Sequence, residues 1–149
     1  MKLLRFFLPC VFSAALTACG GSAEKQPLLN EKILIQAGSE TATAVLYDNA
    51  AVRSLLPQLP LELTLEDFNG TEKIANPPEK LETKGVPDSF TPAAGDLAYY
   101  IPWGNLALFY RDFRRSSSLI HLGRIEGDGV RIFRKSGAVK VVIRREKAK

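Results

Sequence analysis

Few residues of this chain are of types that do chemistry, and their spacing excludes most of what such residues can do. The sole histidine, His121, lies between Ile120 and Leu122, the setting of a packed or half-exposed strand residue rather than of a base or metal ligand. Cysteine occurs only at positions 10 and 19, so no Cys/His set for a structural zinc can be assembled. Glu66 and Asp67 with Glu72 offer carboxylates for a hard cation or for acid/base work; the simpler reading is solvated acids at the end of a strand. Ser116-Ser117-Ser118 follows Arg114-Arg115 without the glycine-rich frame that cradles phosphate, and reads as a loop. No catalytic residue set, metal site or cofactor is predicted. What remains is a concentration of aromatic rings: Phe68, Tyr99, Tyr100, Trp103, Phe109, Tyr110 and Phe113. Alternate strand positions face opposite ways, so half of these rings lie outside the core. Phe68, Tyr100, Trp103 and Phe109 are the candidate ligand contacts. Trp103 sits in a Pro-Trp-Gly turn, either packed under it or exposed as a recognition surface. Arg111 joins them as a candidate holder of a carboxylate, or pairs with Asp112 or Glu66.

The other chemically distinctive residue is Cys19. It follows a short cationic start (Lys2, Arg5), an almost wholly apolar run from Phe6 to Leu16, and the small residues Ala15, Thr17 and Ala18. A spanning helix needs about 20 apolar residues; this run is shorter, contains Pro9 and meets Gly20-Gly21-Ser22 at once. Leu16-Thr17-Ala18-Cys19 resembles a bacterial lipobox. That resemblance implies a thioether-linked diacylglycerol on Cys19, cleavage before it, and a lipid-anchored protein of the cell envelope. Gly20 is not the aspartate of inner-membrane retention, which favours the outer membrane in a Gram-negative source. An ordinary cleaved signal and an uncleaved anchor are the alternatives. Cleavage also removes Cys10, leaving no disulfide in an oxidising compartment. Losing Lys2 and Arg5 lowers the formal charge from +4 to +2, too weak an excess to point to nucleic acid.

These side chains must be positioned by one domain, since residues 19–149 suffice for a single core and not for two. Residues 1–18 read as the signal, 19–31 as a flexible tether, 32–146 as the domain and 147–149 as a basic tail. Lys32–Gln36 and Thr41–Tyr47 suit a hairpin around Ala37-Gly38-Ser39-Glu40. Asp48 or Asn49 can cap a short helix whose apolar face is Val52, Leu55, Leu56 and Leu59, ended by Pro57 and Pro60. Leu61, Leu63 and Leu65 alternate with Glu62, Thr64 and Glu66, the pattern of a half-buried strand. Residues 69–95 form an irregular middle, opened by the strong turn Asn69-Gly70. Strands are predicted over 96–101, 106–110, 119–125 and 138–146, the last with Val139, Val141 and Ile143 on one side, and a short helix over 128–135. Many strands and few short helices give a mainly β chain and point to a closed or nearly closed β-barrel.

Three segments carry a family resemblance: Leu46-Tyr47-Asp48-Asn49, the stretch from Leu59 to Asp67, and above all Gly95–Tyr100 continuing through Trp103-Gly104-Asn105 to Asp112. Together they resemble a bacterial cyclophilin-like family over residues 32–146. The likeness implies a closed cyclophilin-like barrel with a short helix capping each end. Leu122-Gly123-Arg124-Ile125-Glu126-Gly127 also resembles the segment before the last cyclophilin helix. True cyclophilins isomerise prolyl bonds with an arginine near a phenylalanine and a glutamine, in a stretch resembling Phe-His-Arg and then Gly-Gly-Asp; none exists here. Counting back from Gly123, the place of their pocket histidine holds Leu119 and that of their pocket tryptophan Arg114. His121 is two positions off, on the same strand face but shifted by about 6.6 Å. The resemblance therefore implies a non-catalytic module binding a ligand, a peptide or a partner protein. A weak or altered peptidyl-prolyl isomerase acting as a folding helper is the alternative, and the oligomeric state is left open.

Overall fold

The computed structural model describes residues 26–147, and the lipobox and Cys19 lie outside them. The described residues form ten strands: β1 Leu28–Ala37, β2 Glu40–Tyr47, β3 Leu61–Phe68, β4 Glu72–Ala75, β5 Ser89–Phe90, β6 Asp96–Tyr100, β7 Asn105–Phe109, β8 Ser116–Ser117, β9 Leu119–Ile125 and β10 Val139–Arg145. Eight close an antiparallel barrel in the order β1-β10-β3-β4-β7-β6-β9-β2, while β5 and β8 pair separately as a short ribbon. The chain is thus mainly β, as its alternation requires.

Alternation also sets the register. Leu61, Leu63 and Leu65 of β3 stand opposite Ile143, Val141 and Val139 of β10, so the two predicted apolar faces meet inside the barrel. Leu61 and Leu65 are buried and Leu63 is partly covered. Side chains fill the interior and leave a void of only about 40 Å³ among residues such as Leu46, Leu65, Leu97 and Leu122. Space of that size is far below what a small-molecule ligand needs, so any ligand site lies outside the barrel.

Helix α1, Ala50–Leu55, follows β2 and continues as a 3-10 turn, Leu56–Gln58. Its cap is Asn49 rather than Asp48: the Asn49 side-chain oxygen accepts the Val52 N–H at 3.0 Å, and its amide donates to the His121 carbonyl. Asp48 instead pairs with Arg53. The predicted helix over 128–135 is a 3-10 helix, Gly129–Phe133, which packs where β2 begins; a Cβ on Gly129 would lie 3.0 Å from that of Ala42. The two helical pieces therefore sit at opposite ends of β2.

Two expectations are corrected. Strand β1 begins at Leu28, inside the segment read as tether, because Leu28 pairs with Tyr47 across a bulge and Asp48 N–H donates to the Pro27 carbonyl at 2.7 Å. The irregular middle contains β4, which pairs with both β3 and β7. Its four residues are too few for a periodic signal, and its inward residue is Lys73. That ammonium is fully buried, donating to Asp67 Oδ2 at 3.0 Å and to the carbonyls of Lys135 and Gly137 at 2.7 and 2.6 Å. Asp67 also accepts the Tyr110 hydroxyl at 2.8 Å. Lys73 and then Tyr110, as hydrogen-bond donors, hold the Asp67 carboxyl below its ordinary range.

Candidate ligand-binding groove

On the outside of the barrel, β3, β4, β7 and β6 lie side by side, and their outward residues build a groove of about 420 Å³. Outward and inward are fixed by register. Phe68 stands opposite Glu72, Glu72 opposite Phe109, Ile74 opposite Ala107, and Tyr100 opposite Asn105. Strand β7 forms the floor. Phe68 and Glu72 form one wall; the segment from Phe113 to Leu119, which runs back beside β6, forms the other.

Four of the five predicted contact residues meet here. Phe68, Tyr100, Trp103 and Phe109 all line the groove. Trp103 resolves to the exposed alternative: its indole is 56% exposed and stands edge-to-face between Phe68 and Tyr100, with ring centroids 5.4 and 5.5 Å away. Its turn is pinned from beneath, because the Asn76 amide donates to the carbonyls of Trp103 and Gly104 at 3.0 Å each. Gly104 takes φ 64°, a conformation that glycine adopts without steric cost. Tyr99, next to Tyr100, points inward and accepts the Leu81 N–H on its hydroxyl at 3.2 Å.

Arg111 is the fifth, and the structure moves it elsewhere. Two residues beyond Phe109 it would share that residue's face if the strand continued. Strand β7 ends at Phe109, and the N–H groups of Tyr110 and Arg111 both turn onto the Thr71 carbonyl, at 3.1 and 3.3 Å. Arg111 consequently lines a surface hollow with Ala94, Tyr110, Asp112 and Arg134. The cations of the groove are Arg114 and Arg115. Arg114 lies 4.9 Å over the Phe113 ring, which itself stacks on Phe109 at 6.2 Å. Leu119 and Arg114, the two positions matched to cyclophilin pocket residues, both line this groove.

Glu72 and Asn105 are groove residues the sequence reading missed. Glu66, Asp67 and Glu72 do not share solvent as loop acids: Asp67 turns into the barrel, whereas Glu72 is half-buried between Phe68 and Phe109. Burial pushes its carboxyl up to about 7. The signal that could have located it is Asn69-Gly70, with φ 54° and 60°, because a tight turn directly after one strand announces its antiparallel partner. Asn105 is 3% exposed, and its Oδ1 has no partner among the described residues.

His121 lies on the same outward face as Leu119, as its spacing predicts, but in a neighbouring hollow beyond the β5–β8 ribbon. It stacks flat on Phe90 with centroids 4.1 Å apart, and Tyr47 meets it edge-on. Its Nε2 lies 3.3 Å from the buried Asp96 Oδ1 without hydrogen-bond alignment. Burial, then the Asp96 charge, raises the Tyr47 hydroxyl above its ordinary range. Among the described residues no group of three or more His, Cys, Asp or Glu side chains is placed to hold a metal ion, and no helix is long and apolar enough to cross a membrane.

A closed antiparallel barrel of eight strands, filled by its own side chains and carrying an aromatic groove on its outer face, defines a cyclophilin-like domain. The family model described as the cyclophilin-like family matches residues 35–144, and the chain belongs to that family. The solution structure of the hypothetical protein AF2241 from Archaeoglobus fulgidus is similar in fold, with a TM-score of 0.63 at 22% identity, covering 84% of this chain and 100% of that one. No curated protein matches the chain.

Proposed function

We propose that this is a lipid-anchored protein of the cell envelope whose cyclophilin-like domain binds a peptide or partner protein in the aromatic groove without catalysing prolyl isomerisation. The observation that carries the binding reading is the outward Phe68–Trp103–Tyr100 cluster, bordered by Phe109 and pinned by Asn76. Exposed rings in one cleft supply apolar contact at low entropy cost, whereas a ring that served stability alone would be buried. Against catalysis stands the chemistry of the walls. Twisting a prolyl amide meets a barrier of about 20 kcal/mol, and lowering it calls for a donor aimed at the proline nitrogen. The wall beside Phe68 offers a carboxyl, Glu72, and of the two guanidinium groups on the opposite wall that of Arg114 is spread over Phe113.

In a peptide isomerisation assay the protein should give negligible acceleration, while peptides that enter the groove should change the fluorescence of Trp103, the sole tryptophan. Strong catalysis would favour the isomerase alternative. The anchor is tested separately: Cys19→Ala should block lipidation and release the protein from membranes or leave it uncleaved. An unmodified Cys19 on a soluble, cleaved form, seen by mass spectrometry of the amino terminus, would refute it. Gly20, in place of the aspartate of inner-membrane retention, favours the outer membrane if the source is Gram-negative.

A further inference from the structure

We propose that the groove selects a peptide through one basic side chain, the ammonium of lysine or the guanidinium of arginine, with Glu72 as its counter-ion and the Phe68–Trp103–Tyr100 rings as its aromatic wall. This rests on the groove being a binding surface and names the chemistry of its occupant.

Three independent features of the groove lack the same thing. Glu72 is a half-buried carboxyl flanked by Phe68 and Phe109, and among the described residues it has no ion pair or hydrogen bond. A carboxyl in such a setting gains most from a cation that arrives with the ligand. The rings of Phe68 and Tyr100 stand at 88° and 84° to the Trp103 indole. Rings set at right angles to one another present π faces in more than one direction, and such faces attract ammonium and guanidinium groups. Asn105, another residue of the groove lining, has a buried Oδ1 that finds no donor among the described residues. An unsatisfied buried acceptor carries a desolvation cost that an incoming N–H removes. A positive group rich in N–H satisfies all three; an acidic or purely apolar side chain satisfies at most one.

The opposite wall sets the number of charges. Arg114 and Arg115 line it, and with Glu72 and the Tyr100 hydroxyl they are the titratable groups of the groove. A run of basic residues would meet these guanidinium groups, whereas an isolated base leaves them free for the main-chain carbonyls or terminal carboxylate of the same peptide. The occupant is therefore a peptide with one basic side chain among neutral neighbours.

The test uses the full chain in detergent, with Trp103 emission and titration calorimetry as readouts. Four N-acetylated, C-amidated tripeptides serve as probes, with lysine, arginine, norleucine or glutamate between two alanines. The lysine and arginine peptides should bind at least ~10-fold more tightly than the norleucine peptide at about pH 8, where Glu72 is ionised, and the glutamate peptide most weakly. That advantage should shrink at about pH 5.5, and binding near neutrality should release a proton as the cation drives Glu72 to its charged form. Glu72→Gln should erase both the advantage and the proton release. Equal affinity for lysine and norleucine peptides would overturn the proposal while leaving the groove as a binding surface. A basic preference that survives Glu72→Gln would overturn the counter-ion. Failure of every probe, by both readouts, would overturn the groove reading itself.

Discussion

Replacing Glu72 with glutamine tests the electrostatics of the groove without any ligand. In the folded protein burial carries this carboxyl from its ordinary 4.5 up to about 7. Between those pH values the folded chain keeps a proton that the unfolded chain has released, so stability falls as pH rises through the window. The contribution is fully present below about 4.5 and lost above about 7. Taken at face value the difference corresponds to about 3 kcal/mol; water in the open groove screens the group and reduces this to about 1–2 kcal/mol. Glutamine is neutral throughout and nearly isosteric, and Glu72 has no hydrogen bond among the described residues to lose. Urea denaturation should therefore give nearly equal stabilities for Glu72→Gln and the parent chain at about pH 4, and a variant more stable by about 1–2 kcal/mol at about pH 8. A constant difference across this range, or a variant less stable at the higher pH, would show that Glu72 is either fully solvated or already paired, and the reasoning would fail.

Three further substitutions test the frame that holds the groove. Gly123→Ala would place a Cβ 2.2 Å from the Val45 carbonyl oxygen and 3.0 Å from Leu46 Cα, both backbone atoms, so strands β2 and β9 cannot keep their spacing; a loss of more than about 4 kcal/mol, or no folded protein by circular dichroism, is expected. Lys73→Met removes the cation beneath Asp67 and leaves two carbonyls unpaired, which should cost about 3–5 kcal/mol in denaturant, against about 1 kcal/mol for Tyr110→Phe, which removes one hydrogen bond; equal effects would mean the lysine is not the organising group. Leu65→Ala, at a position 3% exposed, should cost about 2–5 kcal/mol, and Thr64→Ala, on the outer face, less than about 0.5 kcal/mol; similar losses would contradict the register of β3 on β10.

Local pattern carried the barrel a long way. Period-two alternation in Leu61–Glu66 and Val139–Ile143 marks two strands and their inner faces, and the structure pairs those faces residue for residue. A helix cap at Asp48 or Asn49 is likewise local, since it answers to the conformation of one or two residues; the structure places it on Asn49. That half of the rings lie outside the core was also legible, because alternation sends neighbouring strand residues to opposite faces, but not which ones: Phe68 and Trp103 are exposed whereas Phe109, though it lines the groove, is buried. Only the tertiary structure decided that these rings share a single cleft: Phe68 and Trp103 are far apart in the chain and meet because β4 inserts between β3 and β7. The same insertion made Glu72 a half-buried acid, and the end of β7 at Phe109 turned Arg111 away from the groove. A carboxylate's solvation and an arginine's direction depend on which distant strand lies alongside. Residue type and spacing do not encode that neighbour; long-range strand pairing does.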